Sequence, residues 1–248
     1  MQENIAKLGH IHPLSHVILK TAAIFRDMGF AVADGPEVET EHYNFDALNI
    51  PAHHPARDMW DTFWLKPENS RKLLRTHTSP VQVRYAESHT PPIRIIVPGK
   101  TFRHEATDAT HEAQFYQLEG LMIEEDVSLA NLKYVLENFF EKLFNAKTSI
   151  RFRPSFFPFV EPGVEIDMTC FRCGGTGKDC STCKGTGWIE IMGAGMVHPK
   201  VLLAMNIDPN KYRGFAFGGG IDRFAMLKFG IPDIRMLYQA DLRLVNQF

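Results

Sequence analysis

Two arginines and one run of alternating side chains carry the chemical potential of this sequence. Arg103 stands in TFRHE two residues before Glu105, and Arg223 follows a glycine run in GGGIDR. A guanidinium is a fixed, forked cation suited to phosphate or carboxylate oxygens. Between them, QFYQLEGLMIE (114–124) reads as a strand, and side chains two apart on a strand share a face. That puts Phe115, Gln117 and Glu119 on one face and Tyr116, Leu118 and Met122 on the other. By the same parity Arg103 goes with Glu105, and Phe157 with Phe159. A wet sheet surface would account for the charges. The interleaved aromatics fit the floor of a ligand cleft better, where apolar walls carry a few placed polar groups. Taken singly, each arginine also fits a surface ion pair.

The second chemical cluster is made of all four cysteines, Cys170, Cys173, Cys180 and Cys183, in CFRCGGTG and CSTCKGTG. The spacing C-x2-C-x6-C-x2-C suits four thiolates around a tetrahedral zinc, with a redox pair or iron–sulfur ligation as the alternatives. Cysteines so close together leave none to cross-link distant parts of a fold.

Composition bounds the rest. At 248 residues, 44% hydrophobic and 23% charged, the chain can bury a sizeable core. A net charge of −2 excludes a protein that coats nucleic acid through bulk positive charge. The start, MQENIAKLGH, has neither signal-peptide nor transit-peptide character, and no apolar run has the ~18 residues of a membrane span, so a soluble cytoplasmic protein is expected.

The elements that must position these groups are legible as periodicity. Leu14, Val17, Ile18, Thr21, Ala22, Phe25 and Met28 recur at helical spacing, with Pro13 suited to the first turn and Gly29 to the exit. Leu132, Val135, Leu136, Phe139, Phe140, Leu143 and Phe144 form a second stripe behind a candidate N-cap, Ser128. Ser79-Pro80 opens a shorter helix. Strand-like runs cover 93–97, 100–105, 114–124, 150–153 and 188–192. Strands joined by short loops, with helices only now and then, predict an α+β fold, a mainly antiparallel sheet flanked by helices. One domain over 1–248 is expected, with the cysteine segment, 168–188, as a small zinc insert. The glycines of GFAFGGGIDR match neither a dinucleotide fingerprint nor a P-loop.

In order along the chain, DGPEVETEHYNFDALNIPAHHPARDMWDTFW (34–64), RTHTSP (75–80), TFRHEATDATHEAQFYQLEG (101–120), FFPFVEPG (156–163), GAGMVHP (193–199) and GFAFGGGIDR (214–223) resemble the motif regions of class II aminoacyl-tRNA synthetases. Within them the similarity is to the phenylalanyl-tRNA synthetase α-subunit family of bacterial type, over about residues 9–248. The resemblance implies the class II catalytic fold and a phenylalanine--tRNA ligase using ATP and Mg2+. It assigns Arg103 to the α-phosphate and Arg223 to the γ-phosphate, Glu105 and His111 to the ATP site, and Phe115 to stacking on adenine. It assigns Gln117 and Glu119 to the α-amino group of L-phenylalanine, with Trp60, His77 and Ser79 assisting. Phe157 and Phe159 would pack edge-to-face on the substrate ring, and Ala216 would lie at the bottom of its pocket. Glu161 and Glu190 are the candidates for Mg2+, with a sheet-edge salt bridge as the alternative for each. From local sequence alone Ser79 fits a helix N-cap equally well, His77 a core histidine, and Trp60 and Trp64 core residues. The implied partners are tRNA(Phe) and a β subunit in an α2β2 assembly, with a homodimer contact through the first motif. Rival readings are a catalytically silent paralogue serving as a regulatory or amino-acid-sensing subunit, a related class II enzyme charging another amino acid, and a zinc-dependent nucleic-acid-binding module.

Overall fold

The computed structural model describes residues 9–53 and 62–248. Helix α1, Pro13–Asp27, buries Leu14, Val17, Thr21, Ile24 and Phe25, and the chain leaves it through Gly29 at φ +82°. Short strands β1 (Ala31–Val32) and β2 (Val38–Thr40) lead into a one-turn helix, α2 (Glu41–Asn44). After β3 (Lys72–Leu74) comes α3 (Pro80–Ala86), then the long strands β4 (Ile93–Phe102) and β5 (Gln114–Glu124). Helix α4, Leu129–Phe144, buries the whole stripe read from the sequence, and the Asn131 carboxamide closes its N-terminus by accepting from Ser128 N at 2.9 Å. Strands β6 (Ile150–Phe157), β7 (Val160–Thr169) and β8 (Trp188–Val197) form a meander. Helix α5 (Pro199–Ala204), strand β9 (Arg213–Gly220) and helices α6 (Ile221–Phe229) and α7 (Leu242–Val245) complete the chain.

Seven strands make one sheet in the order β1-β4-β5-β9-β8-β7-β6. Only the β1–β4 pairing is parallel. Strands β2 and β3 pair separately. Alternation splits the core in two. Leu118, Met122, Phe215 and Phe217 face a layer built from α1, α4 and α6. Leu121, Ile123 and Ala216 face the opposite side, where the residues around α2, α3 and α5 pack.

One expected break is absent. The sequence suggests separate strands on either side of Pro98-Gly99, yet β4 runs through both. Pro98 lacks an N–H, and β1 pairs with β4 only at Ile95 and Ile96, so the missing donor falls on an open edge. Gly99 is demanded by packing: a Cβ there would lie 2.4 Å from Nη2 of Arg75, which crosses beneath it. Among the described residues no helix is long and apolar enough to cross a membrane.

Candidate active site

Two cavities lie on the sheet face that carries Phe115, Gln117 and Glu119, and Arg103 lines both. The larger, about 330 Å³, is lined by His77, Ser79, Gln117, Glu119, Phe157, Phe159 and Ala216 among others. The smaller, about 180 Å³, is lined by Glu105, His111, Phe115 and Arg223, together with Thr110, Glu112, Gly220, Asp222, Met226 and Ile234. Twelve of the expected site residues thus line these two cavities, but the routes by which side chains arrive there differ from simple strand parity at two places.

Arg103 lies just past the end of β4. Its backbone N–H donates to Ala113 O at 2.9 Å, and its Nε donates to Thr76 O at 3.1 Å. The guanidinium stands 5.1 Å from the Phe115 ring centroid and 3.9 Å from a Glu105 carboxylate oxygen. Burial pushes its pKa below the ordinary arginine value, although it stays a cation at any physiological pH. Arg223, at the start of α6, is exposed to the smaller cavity and makes no ion pair among the described residues. Both cations therefore keep donors available for an anion.

Phe159 likewise is not on a strand. Strand β6 ends at Phe157, and Pro158 and Phe159 form the turn into β7. Asn49 Nδ2 holds that turn by donating to Pro158 O at 2.7 Å, and His198 N donates to Phe159 O at 3.0 Å. The two rings are stacked at 6.0 Å. Gly193 underlies Phe157, where a Cβ would lie 2.9 Å from its ring. Ala216, buried on β9, completes the apolar end.

The polar corner opposite is unusual. Glu119 is only 3% exposed, and no cation pairs with it among the described residues. Gln82 Nε2 donates to one carboxylate oxygen at 2.6 Å, Gln117 Nε2 approaches the other at 3.3 Å, and the Ser79 hydroxyl adds a third bond. Ser79 thus spends its hydroxyl on Glu119 and makes no side-chain cap on α3. Desolvation outweighs these bonds and pushes the Glu119 carboxyl up to about 8. Gln117 Oε1 is buried without a hydrogen-bond partner among the described residues. A carboxylate short of a cation and a carbonyl short of a donor, side by side, form a receptor for an ammonium group. Gly218 leaves room for them, since a Cβ there would lie 2.8 Å from Glu119 Oε2. His77 is buried nearby, and desolvation with the Arg103 charge lowers its pKa to about 3, so it is neutral.

Gln82, Gly193, Gly218 and Asp222 were not singled out from the sequence. Gln82 had a signal: it follows Ser79 by three, the spacing that puts two side chains on one helix face. Asp222 accepts from Tyr116 N at 2.7 Å and from the Tyr238 hydroxyl at 2.5 Å, and burial raises its pKa to about 6.

Two expected residues, Glu161 and Glu190, are not at the cleft, and a third falls where no position is described. Trp60 lies outside the described residues. Glu161 pairs with His198 at 3.3 Å and Glu190 with Arg153 at 2.5 Å, and neither lines either cavity. Strand β8 turns Glu190 toward the arginine cluster around Asp167 instead. Trp64, expected in the core, is 47% exposed.

The cysteine segment joins β7 to β8, and none of its cysteines lines either of the two cavities. All four sulfurs lie within 4.8 Å of one another, with Cys170–Cys180 at 3.7 Å and Cys173–Cys183 at 3.8 Å. Sulfurs placed ~2.3 Å from a central zinc would be about 3.8 Å apart, whereas a disulfide needs ~2.05 Å. The ten-residue repeat is also a repeat of contacts: Gly177 N and Gly187 N each donate to a sulfur at 3.3 Å, those of Cys173 and Cys183. Phe171 stacks on Phe144 of α4 at 4.6 Å and fastens the segment to the core.

The raised carboxyl has a consequence for stability. With a folded pKa of about 8 against about 4.5 unfolded, folded Glu119 holds a proton that the unfolded chain releases. Stability from this group is therefore present below the unfolded value and declines as pH rises through that window. Glu119→Gln should remove the decline, so the variant should gain on the ligand-free wild type between pH 6 and pH 8 by more than ~1 kcal/mol in urea unfolding. Parallel profiles for the two proteins would show that Glu119 is ionised and comfortable in the empty cleft.

Comparison with known proteins agrees with this geometry. A family model described as tRNA synthetases class II core domain (F) matches residues 1–248. The "Phenylalanine--tRNA ligase alpha subunit" of Clostridium perfringens (strain ATCC 13124) is 55% identical over 241 residues, which are 97% of this chain and 70% of that protein. That of Bacillus subtilis (strain 168) is 53% identical over 247 residues, 99% of this chain and 70% of its own length. Among solved structures, pyrrolysyl-tRNA synthetase from Desulfitobacterium hafniense superposes with a TM-score of 0.67 over 92% of this chain and 74% of its own, at 18% identity, a likeness of fold alone. With its cleft, its sheet order and these relatives, the chain belongs to the class II tRNA synthetase family, among the phenylalanine--tRNA ligase alpha subunits.

Proposed function

We propose that the chain activates L-phenylalanine with ATP and transfers the phenylalanyl group to tRNA(Phe), as the catalytic subunit of a ligase that also contains a β subunit. The observation that carries this reading is that an apolar cavity with an ammonium receptor and a second cavity with an aromatic wall and a free arginine meet at Arg103. The amino acid enters the first with its ring between Phe157, Phe159 and Ala216. Its ammonium takes the place of the Glu119 proton and donates to Gln117 Oε1. The carboxylate then points toward Arg103. ATP occupies the second cavity with adenine on Phe115, the γ-phosphate at Arg223 and the α-phosphate at Arg103; Glu105 and His111 complete its surroundings.

The substrate carboxylate is the nucleophile, so no protein nucleophile is required. One of its oxygens bonds to the α-phosphorus as the bond to the β-phosphate breaks, giving phenylalanyl-adenylate and pyrophosphate. The protein's task is alignment and neutralisation of charge at phosphorus. In the second step a ribose hydroxyl of the terminal tRNA adenosine attacks the activated carbonyl and AMP leaves. Mg2+ would be carried chiefly by the phosphate oxygens, with Glu105 and Glu112 the carboxylates that face them. The silent-paralogue reading has no observation in its favour, because both arginines and Phe115 line the cleft.

A structural zinc on Cys170, Cys173, Cys180 and Cys183 fits the sulfur spacing. The family's α2β2 assembly, with a contact between α subunits through the first motif, is consistent with exposed Val38 and Trp64 beside the β2–β3 pair. Such an enzyme works in the cytoplasm with the translation machinery.

Arg103→Ala should lower phenylalanine-dependent exchange between pyrophosphate and ATP by at least ~100-fold, the scale of losing a transition-state charge contact. Exchange at the wild-type rate would remove Arg103 from the α-phosphate. Stripping the metal with a chelator should release about one zinc per chain and lower the melting temperature, while exchange at low temperature persists. Protein purified with four reduced thiols, no zinc and an unchanged melting curve would refute the zinc assignment.

A further inference from the structure

The segment Arg75–Thr78 follows β3 and has no regular secondary structure, so side-chain bonds decide where its backbone groups point. One of those groups matters to the cleft: Thr76 O accepts from Arg103 Nε at 3.1 Å, the one hydrogen bond of that side chain among the described residues. Thr76 is itself held by Asn44, the last residue of α2. Asn44 Nδ2 donates to Thr76 Oγ1 at 3.0 Å, and Asn44 Oδ1 accepts from Thr76 N at 3.2 Å. Asn44 and Thr76 are fully buried. A buried carboxamide that both donates to and accepts from one residue fixes that residue's peptide planes. Neither Asn44 nor Thr76 lines either of the two cavities.

We propose that Asn44 is a positioning residue for catalysis, acting through Thr76 to set the plane of the Arg103 guanidinium. With Nε tied to Thr76 O, both terminal nitrogens are presented to the junction of the two cavities. Without the tie, Arg103 keeps its charge and loses its aim, and misplacement of about 1 Å at a reacting phosphate costs of the order of 100-fold. The inference rests on the proposed contact of Arg103 with the α-phosphate.

The test is a double-mutant cycle read by pyrophosphate exchange in the α subunit assembled with its β subunit, each variant first checked by thermal melting. Asn44→Ala should lower exchange kcat about tenfold or more, with the KM for ATP changing much less. In an Arg103→Lys background, which keeps a cation and lacks the Nε donor, Asn44→Ala should change kcat by less than about twofold. Thr76→Val, which removes the hydroxyl and keeps the carbonyl, should repeat this dependence on background, and Thr76→Ser should restore activity. If Asn44→Ala does not fold, the two Thr76 variants carry the test. Equal losses in both backgrounds would overturn the proposal, since a merely structural role is indifferent to Arg103. Wild-type exchange by Arg103→Lys with loss in Asn44→Ala would overturn it too, because the tie would then be dispensable. Wild-type exchange by Arg103→Ala would instead sink the contact with phosphate on which the proposal depends.

Discussion

The site depends on one strand being paired along both edges. Strand β5 is hydrogen-bonded to β4 through Gln114–Ile123 and to β9 through Gln117–Glu124, so its side chains have no freedom to change face. Positions two apart on a strand are separated by about 7 Å. Phe115, Gln117 and Glu119 therefore form a fixed row from the smaller cavity to the larger, and Leu121 and Ile123 continue the same face into the core. A slip of one residue would send Leu118 and Met122 into the cleft and Glu119 into the layer of α1, α4 and α6.

Burying Glu119 on that row is costly, and in the proposed reading the cost serves binding. Gln82, Ser79 and Gln117 orient the carboxyl without neutralising it. In the proposed reading an incoming ammonium would meet a group already aimed at it, and the pairing would then remove the desolvation that this carboxyl suffers. The neutral state of His77 fits the same arrangement, since a second cation there would compete with the ligand for Glu119. Arg75 shows how the scaffold handles a buried cation differently: it is fully buried and bonded to the carbonyls of Lys100 and Gly35, tying the loop after β1 to β4.

What could be read from the sequence was whatever is periodic. The stripes of α1 and α4 and the two faces of β5 follow from spacing alone, and the cysteine cluster from its repeat. The rest needed three dimensions. Arg103 and Phe159 share the cleft with β5 through loop and turn contacts with Thr76, Ala113, Asn49 and His198, which no strand or helix period links to them. The continuity of β4 across Pro98 depends on how short its neighbour is. Glu161 and Glu190 were plausible as metal ligands by residue type, and only their partners, His198 and Arg153, reveal them as members of surface ion pairs. Asn44 carried no signal at all beyond its place in the first-motif segment.

The central claim is that the apolar cavity ending at Phe157, Phe159 and Ala216 selects the amino acid that the two arginines then activate. Pyrophosphate exchange measured with each of the standard amino acids in turn tests it most directly. The account predicts exchange with phenylalanine far above the rest, and weak exchange with tyrosine, because an apolar pocket rejects an added hydroxyl by only ~100-fold. Exchange driven by a polar or charged amino acid, or by none, would contradict it.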